Sequence, residues 1–155
     1  MGKRTILLVE DNPAEAALAQ RALAATQIPH DLVIVSDGQQ ALDYLFGNAH
    51  PGQKPTELPA LVLLDLHLPT IPGLEVLSRI RAERSTRRLC VVILSTSNAP
   101  SDLATAYDLG ANGYLCKPMR YSEFQQQMLY VATYWLVLTE RPPRVEAEAH
   151  PFGRI

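Results

Sequence analysis

The sequence holds only two cysteines, no block of like charge, no internal repeat and no apolar run as long as a membrane span. Each shortage excludes a class. Cys90 and Cys116 lie beside or inside strand-like runs, with no CxxC spacing and no Cys/His cluster. That rules against a disulfide framework or a zinc module and fits small apolar side chains in a reducing compartment, the cytoplasm. Lys and Arg number 14 against 16 Asp and Glu, for a net charge of -2, and no basic stripe offers a nucleic-acid footprint. Met1-Gly2-Lys3-Arg4 is basic, but the apolar run behind it stops at Glu10, too short for a signal peptide or a membrane anchor. No Ser/Thr/Gly-rich loop follows that first run, so a flavin phosphate has no cradle there. What is present is ordinary for a soluble globular chain: 155 residues, 47% hydrophobic and 19% charged, enough for one domain with a core.

Three apolar runs end in residues that handle phosphate and its counter-ion. Ile6–Val9 ends in Glu10-Asp11, Leu61–Leu64 in Asp65, and Gly113–Cys116 in Lys117-Pro118. A continuous apolar run closed by a polar residue reads as a strand buried on both faces. In an open parallel sheet the carboxyl ends of the strands border the ligand crevice. Three acids and a lysine at one rim suit one divalent cation and one phosphoryl group.

Strand-like and helix-like segments alternate along the chain. Strands are expected at Thr5–Val9, Leu32–Val35, Ala60–Leu64, Leu89–Leu94 and Gly113–Cys116. Between them, a helix runs from Pro13 to about Thr26 behind an Asp11 or Asn12 cap. Another runs to about Phe46 behind Asp37 and Gln40, and a third lies beyond Pro72-Gly73 to about Arg84. A fourth opens at Pro100 and stops at Gly110. Ser122 with Gln125 resembles a capping box, and the last helix is expected to reach about Thr139. Gly47–Pro59 reads as a long loop. Five βα units with right-handed crossovers give a doubly wound, five-stranded parallel α/β sheet. Residues 3–139 are expected to form one domain, with 140–155 a polar, mobile tail.

The ordered set of strand-end residues resembles the receiver domain of two-component response regulators. It comprises Glu10-Asp11, Asp65-Leu66-His67-Leu68-Pro69 with Gly73 beyond, Ser95, Gly110-Ala111, Gly113-Tyr114 and Lys117-Pro118. The likeness covers about Lys3 to Thr139 and implies the flavodoxin-like strand order 2-1-3-4-5. It implies that Asp65 accepts a phosphoryl group from a phosphohistidine on a sensor histidine kinase. Mg²⁺ would be held by Asp11, Asp65, Glu10 through water, and the backbone carbonyl of His67, whose side chain could tune the phosphate lifetime. Lys117 and Ser95 would contact the phosphoryl oxygens, Ser95 and Tyr114 would form the switch pair, and the Lys117-Pro118 bond would be cis. The chemistry of the residues agrees: Mg²⁺ takes hard oxygen ligands, and a carboxylate can attack phosphorus.

The last helix is more apolar than one buried face requires. Phe124, Met128, Val131, Trp135 and Leu138 form one stripe, and Tyr130, Tyr134 and Val137 a second. A partner face made of Tyr130, Tyr134, Trp135 and Val137 is expected, and with it a homodimer. The long loop and the Trp135–Leu138 ending resemble the single-domain receivers that serve phytochrome kinases, which implies a bacteriophytochrome partner. Only about 35 residues follow Lys117, too few for a DNA-binding or catalytic output domain. The signal would pass by protein contact or onward phosphotransfer, with no catalysis beyond the chain's own phosphorylation and dephosphorylation. Two alternatives stand beside this. A haloacid-dehalogenase-like phosphatase also uses a strand-end Asp, but wants a second Asp where His67 stands. A pseudo-receiver would fold alike without being phosphorylated.

Overall fold

A computed structural model describes residues 4–47 and 57–143. Five strands, β1 (Arg4–Val9), β2 (His30–Val35), β3 (Leu61–Leu64), β4 (Val91–Ser95) and β5 (Gly113–Cys116), form one parallel sheet in the order β2-β1-β3-β4-β5. Side chains alternate across it as the pleat demands. In β1, Ile6 and Leu8 join one core while Leu7 and Val9 join the other. The first core is covered by α1 (Pro13–Ala25) and α5 (Tyr121–Ala132). The second lies under α2 (Gly38–Phe46), α3 (Gly73–Ala82) and α4 (Pro100–Asp108). Leu7, Leu61, Leu63 and Leu64 are wholly buried. Each such side chain contributes about 1.5–3 kcal/mol relative to exposure, which is why the central strands tolerate continuous apolar sequence.

The caps follow the sequence in part. Asn12 caps α1 through its side chain, and Asp37 caps α2 with a 2.7 Å bond from the Gln40 N–H. Gly110 stops α4 at φ +98°, a conformation that favours glycine. The Ser122/Gln125 box does not form. The helix starts two residues earlier than a Ser122 cap would place it, behind Arg120, which offers no side-chain cap, so Ser122 already lies inside the first turn.

The end of the last helix departs further from expectation. After Ala132 the chain widens into a π-helical segment, Thr133–Leu138, closed by the Thr139 N–H on the Tyr134 carbonyl at 2.9 Å. The wider turn shifts the helical phase. Leu136 becomes the buried residue and Leu138, expected on the inward stripe, is exposed. Trp135, counted both in the inward stripe and in the expected partner face, packs against the first core and so belongs to the stripe. Of the expected tail, Arg141 donates to the Leu58 carbonyl at 2.9 Å and Arg88 to the Pro143 carbonyl at 3.4 Å. Residues 144–155 and the centre of the long loop, 48–56, lie outside the described residues. Among the described residues no helix is long and apolar enough to cross a membrane.

Candidate functional site

The strand registers align the carboxyl ends. Val9 lies beside Leu64, Leu64 beside Ile93, and Ser95 beside Cys116. The residues that follow therefore share one rim. Among the described residues the buried polar side chains are Glu10, Asp65, Thr86 and Ser95, and all but Thr86 stand on this rim. Backbone bonds extend the sheet to carry them. The Asp65 N–H donates to Val9, Glu10 to Val35 and Lys117 to Ser95, at 3.1, 3.0 and 2.8 Å.

Lys117 binds the cluster together. Its Nζ donates to Glu10 Oε1 at 2.5 Å and to Asp65 Oδ2 at 3.3 Å, and lies 3.6 Å from Glu15 Oε1. Asp65 Oδ1 accepts from the His67 N–H at 3.2 Å, which fixes the start of the β3–α3 loop. Gly73 lets that loop close. A Cβ there would stand 2.1 Å from the Asp65 carbonyl oxygen, so only glycine allows α3 to approach so closely.

Carboxylate oxygens of Glu10, Glu15 and Asp65 all lie within 4.8 Å of one another. Hard oxygens this close suit a divalent cation. Asp11 lies outside that trio and is exposed, because Glu10 takes the inward direction and the next residue turns to solvent. Glu15 was not singled out by sequence reasoning. Its signal was the Asn12-Pro13-Ala14-Glu15 pattern, a capping-box spacing that reads as helix punctuation.

Burial pushes the Glu10 carboxyl up from 4.5 to about 7; Lys117 pulls it back and Asp65 adds to the rise. Burial alone would lower the Lys117 ammonium, but the bond to Glu10 and the charges of Asp65 and Glu15 outweigh it, and its pKa ends raised. The sign for stability follows. A carboxyl that binds its proton more tightly folded than unfolded stabilises the fold below its unfolded pKa, and that contribution fades as pH rises through the folded one. Without divalent cation, raising pH from 5 to 8 is expected to cost on the order of 1–3 kcal/mol through Glu10. Mg²⁺ should return more stability at pH 8 than at pH 5. Thermal melts of wild type and Glu10→Gln with and without Mg²⁺ test this; equal slopes in the two proteins would contradict it.

Ser95 and Tyr114 meet through Ser97. The Ser97 N–H donates to Ser95 Oγ at 3.2 Å, and the Tyr114 hydroxyl donates to the Ser97 carbonyl at 2.7 Å. Ser97 Oγ donates to Asp102 Oδ2 on the first turn of α4 at 2.5 Å. The Lys117-Pro118 bond is trans, since no cis peptide occurs among the described residues, whereas a cis bond was expected. The two isomers of an X–Pro bond differ by only about 0.5–1 kcal/mol, so sequence alone does not decide between them. Lys117 reaches Glu10 and Asp65 from the trans arrangement.

A cavity of about 140 Å³ opens beside the cluster between α1 and the β5–α5 turn, with Leu18, Met119 and Tyr121 on its wall beside Glu10, Glu15 and Lys117. A larger one, about 380 Å³, lies at the amino ends of the central strands near Ala60 and Cys90, at the opposite end of the sheet from the rim.

Comparison with known proteins agrees with this geometry. The model of the response regulator receiver domain matches residues 6–129. The probable methanogenesis regulatory protein FilR2 of Methanothrix harundinacea is 40% identical over 137 residues, covering 88% of this chain and 86% of that protein. Response regulator Rcp1 of Synechocystis sp. is 34% identical over 139 residues, covering 90% and 93%; the chain superposes on its Mn²⁺-bound crystal structure with a TM-score of 0.81. The phosphorylated cyanobacterial phytochrome response regulator RcpA gives a TM-score of 0.83 at 37% identity, covering 92% of this chain and all of that one.

Proposed function

This chain belongs to the response regulator receiver family of phosphoacceptor signalling proteins, and on that premise we propose that Asp65 is its phosphorylated residue. The observation that carries the assignment is the position of Asp65, at the end of a central strand and within 3.3 Å of the lysine that closes β5. The proposed cofactor is Mg²⁺, held by Asp65, Asp11, Glu10 through water and the His67 carbonyl. When bound it supplies positive charge to the phosphoryl oxygens. The chain's own residues do the rest. Asp65 attacks phosphorus through a carboxylate oxygen. Lys117 stays protonated and neutralises oxygens of the transferred group. Ser95 donates its hydroxyl to that group. Doing so draws it off the Ser97 N–H, and Ser97 also carries the Tyr114 hydroxyl, so phosphorylation biases the β4–α4 loop between two arrangements. His67, exposed two residues past Asp65, modulates the lifetime of the phosphate.

The haloacid-dehalogenase alternative finds no support: no acid stands two residues after Asp65, and the family match is to receivers. A pseudo-receiver would not need Glu10, Asp65 and Lys117 in contact.

The proposed donor is a cytoplasmic sensor histidine kinase of the phytochrome type. Support comes from the likeness to RcpA and Rcp1. The cavity between α1 and the β5–α5 turn opens onto Glu10, Glu15 and Lys117, beside the rim that such a donor must reach. No catalysis beyond self-phosphorylation and dephosphorylation is assigned, and residues 3–139 are taken as one receiver domain. Incubation with a radiolabelled phosphorylated kinase of this type and Mg²⁺ tests the assignment. Label should move to this chain within minutes, and not when EDTA replaces Mg²⁺. Label that stays on the kinase would refute it.

A homodimer through the last helix is part of the same reading. Tyr130, Tyr134, Val137 and Leu138 are 63%, 52%, 58% and 68% exposed, an apolar group large enough to call for a partner. Trp135 is removed from that face, because it packs inward. A Tyr134→Asp, Val137→Asp double variant should elute from a sizing column at half the wild-type mass with its melting temperature little changed. Co-elution with wild type would contradict the dimer.

A further inference from the structure

Glu15 stands where a capping box would have used it, yet does something else. Asn12 Oδ1 accepts from the Ala14 and Glu15 N–H groups at 2.9 and 3.2 Å. In a complete box the acid at this third position returns a bond to the cap's own N–H. Here the Asn12 N–H is taken by Glu10 Oε2 at 3.2 Å. The other oxygen of Glu10 accepts from Lys117. Glu15 is thereby released from the helix start, and its carboxylate faces the Lys117 ammonium at 3.6 Å. Lys117 thus meets three carboxylates from three different parts of the chain. Their side chains differ in freedom: Glu10 is 4% exposed, Asp65 10% and Glu15 39%. Glu15 is the one that can swing away without breaking the rim.

We propose that Glu15 is a positioning residue that restrains phosphoryl transfer: it helps to retain Lys117 inside the acid cluster and yields the lysine when a phosphoryl group arrives on Asp65. The inference rests on Asp65 being the acceptor. In the transfer from an acyl phosphate, a bond forms between the Asp65 carboxylate oxygen and phosphorus. The bond from phosphorus to the donor's acyl oxygen breaks, and the donor leaves as a carboxylate with that electron pair. Lys117 keeps its proton throughout and changes only its partner, from carboxylates to phosphoryl oxygens.

Two effects of opposite sign follow. Glu15 opposes the incoming anion, by retaining Lys117 and by its own charge. The same charge helps to draw a divalent cation to the rim. Glu15→Gln keeps the length of the side chain and leaves the Asn12 cap intact, since that cap uses only the backbone N–H of residue 15. With saturating Mg²⁺ and acetyl phosphate, phosphoryl uptake by this variant should be about three- to fivefold faster than wild type, the range for a partly exposed ion pair. Without donor, the Mg²⁺ concentration that gives half-maximal thermal stabilisation should rise by a similar factor. Glu15→Lys should move both further in the same directions. If Glu15 is only a surface residue of α1, Glu15→Gln leaves both unchanged, and the proposal is overturned. If uptake slows while Mg²⁺ binding weakens, Glu15 is simply another cation ligand, and the proposal is again overturned. A wild-type protein that takes up no phosphoryl group would bring down the reading of Asp65 first, and this inference with it.

Discussion

Asp65→Asn is expected to abolish phosphoryl uptake, reducing it by at least about a hundredfold from both a sensor kinase and a small acyl phosphate. An amide nitrogen or oxygen does not replace a carboxylate as nucleophile, and no neighbour can substitute. Glu10 has both oxygens committed, one to Lys117 and one to the Asn12 N–H. Glu15 belongs to a helix and lies on the solvent side of Lys117. The fold should survive, because asparagine fills the same volume and can still accept from the His67 N–H. The variant also removes one of the three carboxylates around Lys117, so it should gain less stability than wild type on addition of Mg²⁺. Uptake is read by acid-labile phosphate and folding by thermal melts. Retained uptake in a folded Asp65→Asn protein would refute the assignment.

Gly73→Ala is the substitution expected to do most damage without touching any charged group. The added methyl carbon would stand 2.1 Å from the Asp65 carbonyl oxygen and 2.7 Å from the Leu66 Cα. Both are backbone atoms, and neither can rotate away. The collision must be relieved by moving α3 off β3, which breaks the 3.0 Å bond from the Gly73 N–H to the Leu66 carbonyl and loosens the packing of Val76, Leu77 and Ile80. A loss of about 2–4 kcal/mol is expected, in the range of overpacked cores. Because the displaced backbone is that of Asp65 itself, phosphoryl uptake should fall with stability. Gly113→Ala serves as the control. Its methyl would meet Val92 at 3.6 and 3.8 Å, ordinary contact, and should be tolerated. Equal denaturant midpoints for the two variants would contradict the account.

Much of the site was legible because the sheet imposes simple rules. A strand buried on both faces must be continuously apolar, so the first polar residue after Val9 and Leu64 marks its carboxyl end; β5 is a half-buried edge strand with Cys116 exposed, yet its run also stops at the rim, at Lys117. Parallel order then brings Glu10, Asp65 and Lys117 together. What escaped depends on local competition that spacing does not record. Glu15 drew no attention as a sequence feature, and its freedom to face Lys117 depends on Glu10 occupying the Asn12 N–H. Ser122 matched a cap by spacing, yet the helix began at Tyr121. The apolar stripe ending in Leu138 assumed 3.6 residues per turn, and the π-helical segment moved Leu136 inward instead. Arg81 gave no signal at all. Its guanidinium donates to the Gly110 and Leu89 carbonyls and to Asn112 Oδ1, locking the end of α3 to the turn before β5. Nothing in its immediate sequence distinguishes it from Arg79, which forms an exposed pair with Glu75.

Of the carboxylates at the rim, Asp65 alone is expected to carry phosphate. Borohydride reduces an acyl phosphate to an alcohol and leaves free carboxylates intact, so treating the phosphorylated protein and sequencing its peptides by mass spectrometry reads the position directly. Homoserine is expected at position 65, with unchanged acids at positions 10, 11 and 15. Reduction at any of those three, or an intact Asp65 in protein that has taken up phosphate, would contradict that assignment.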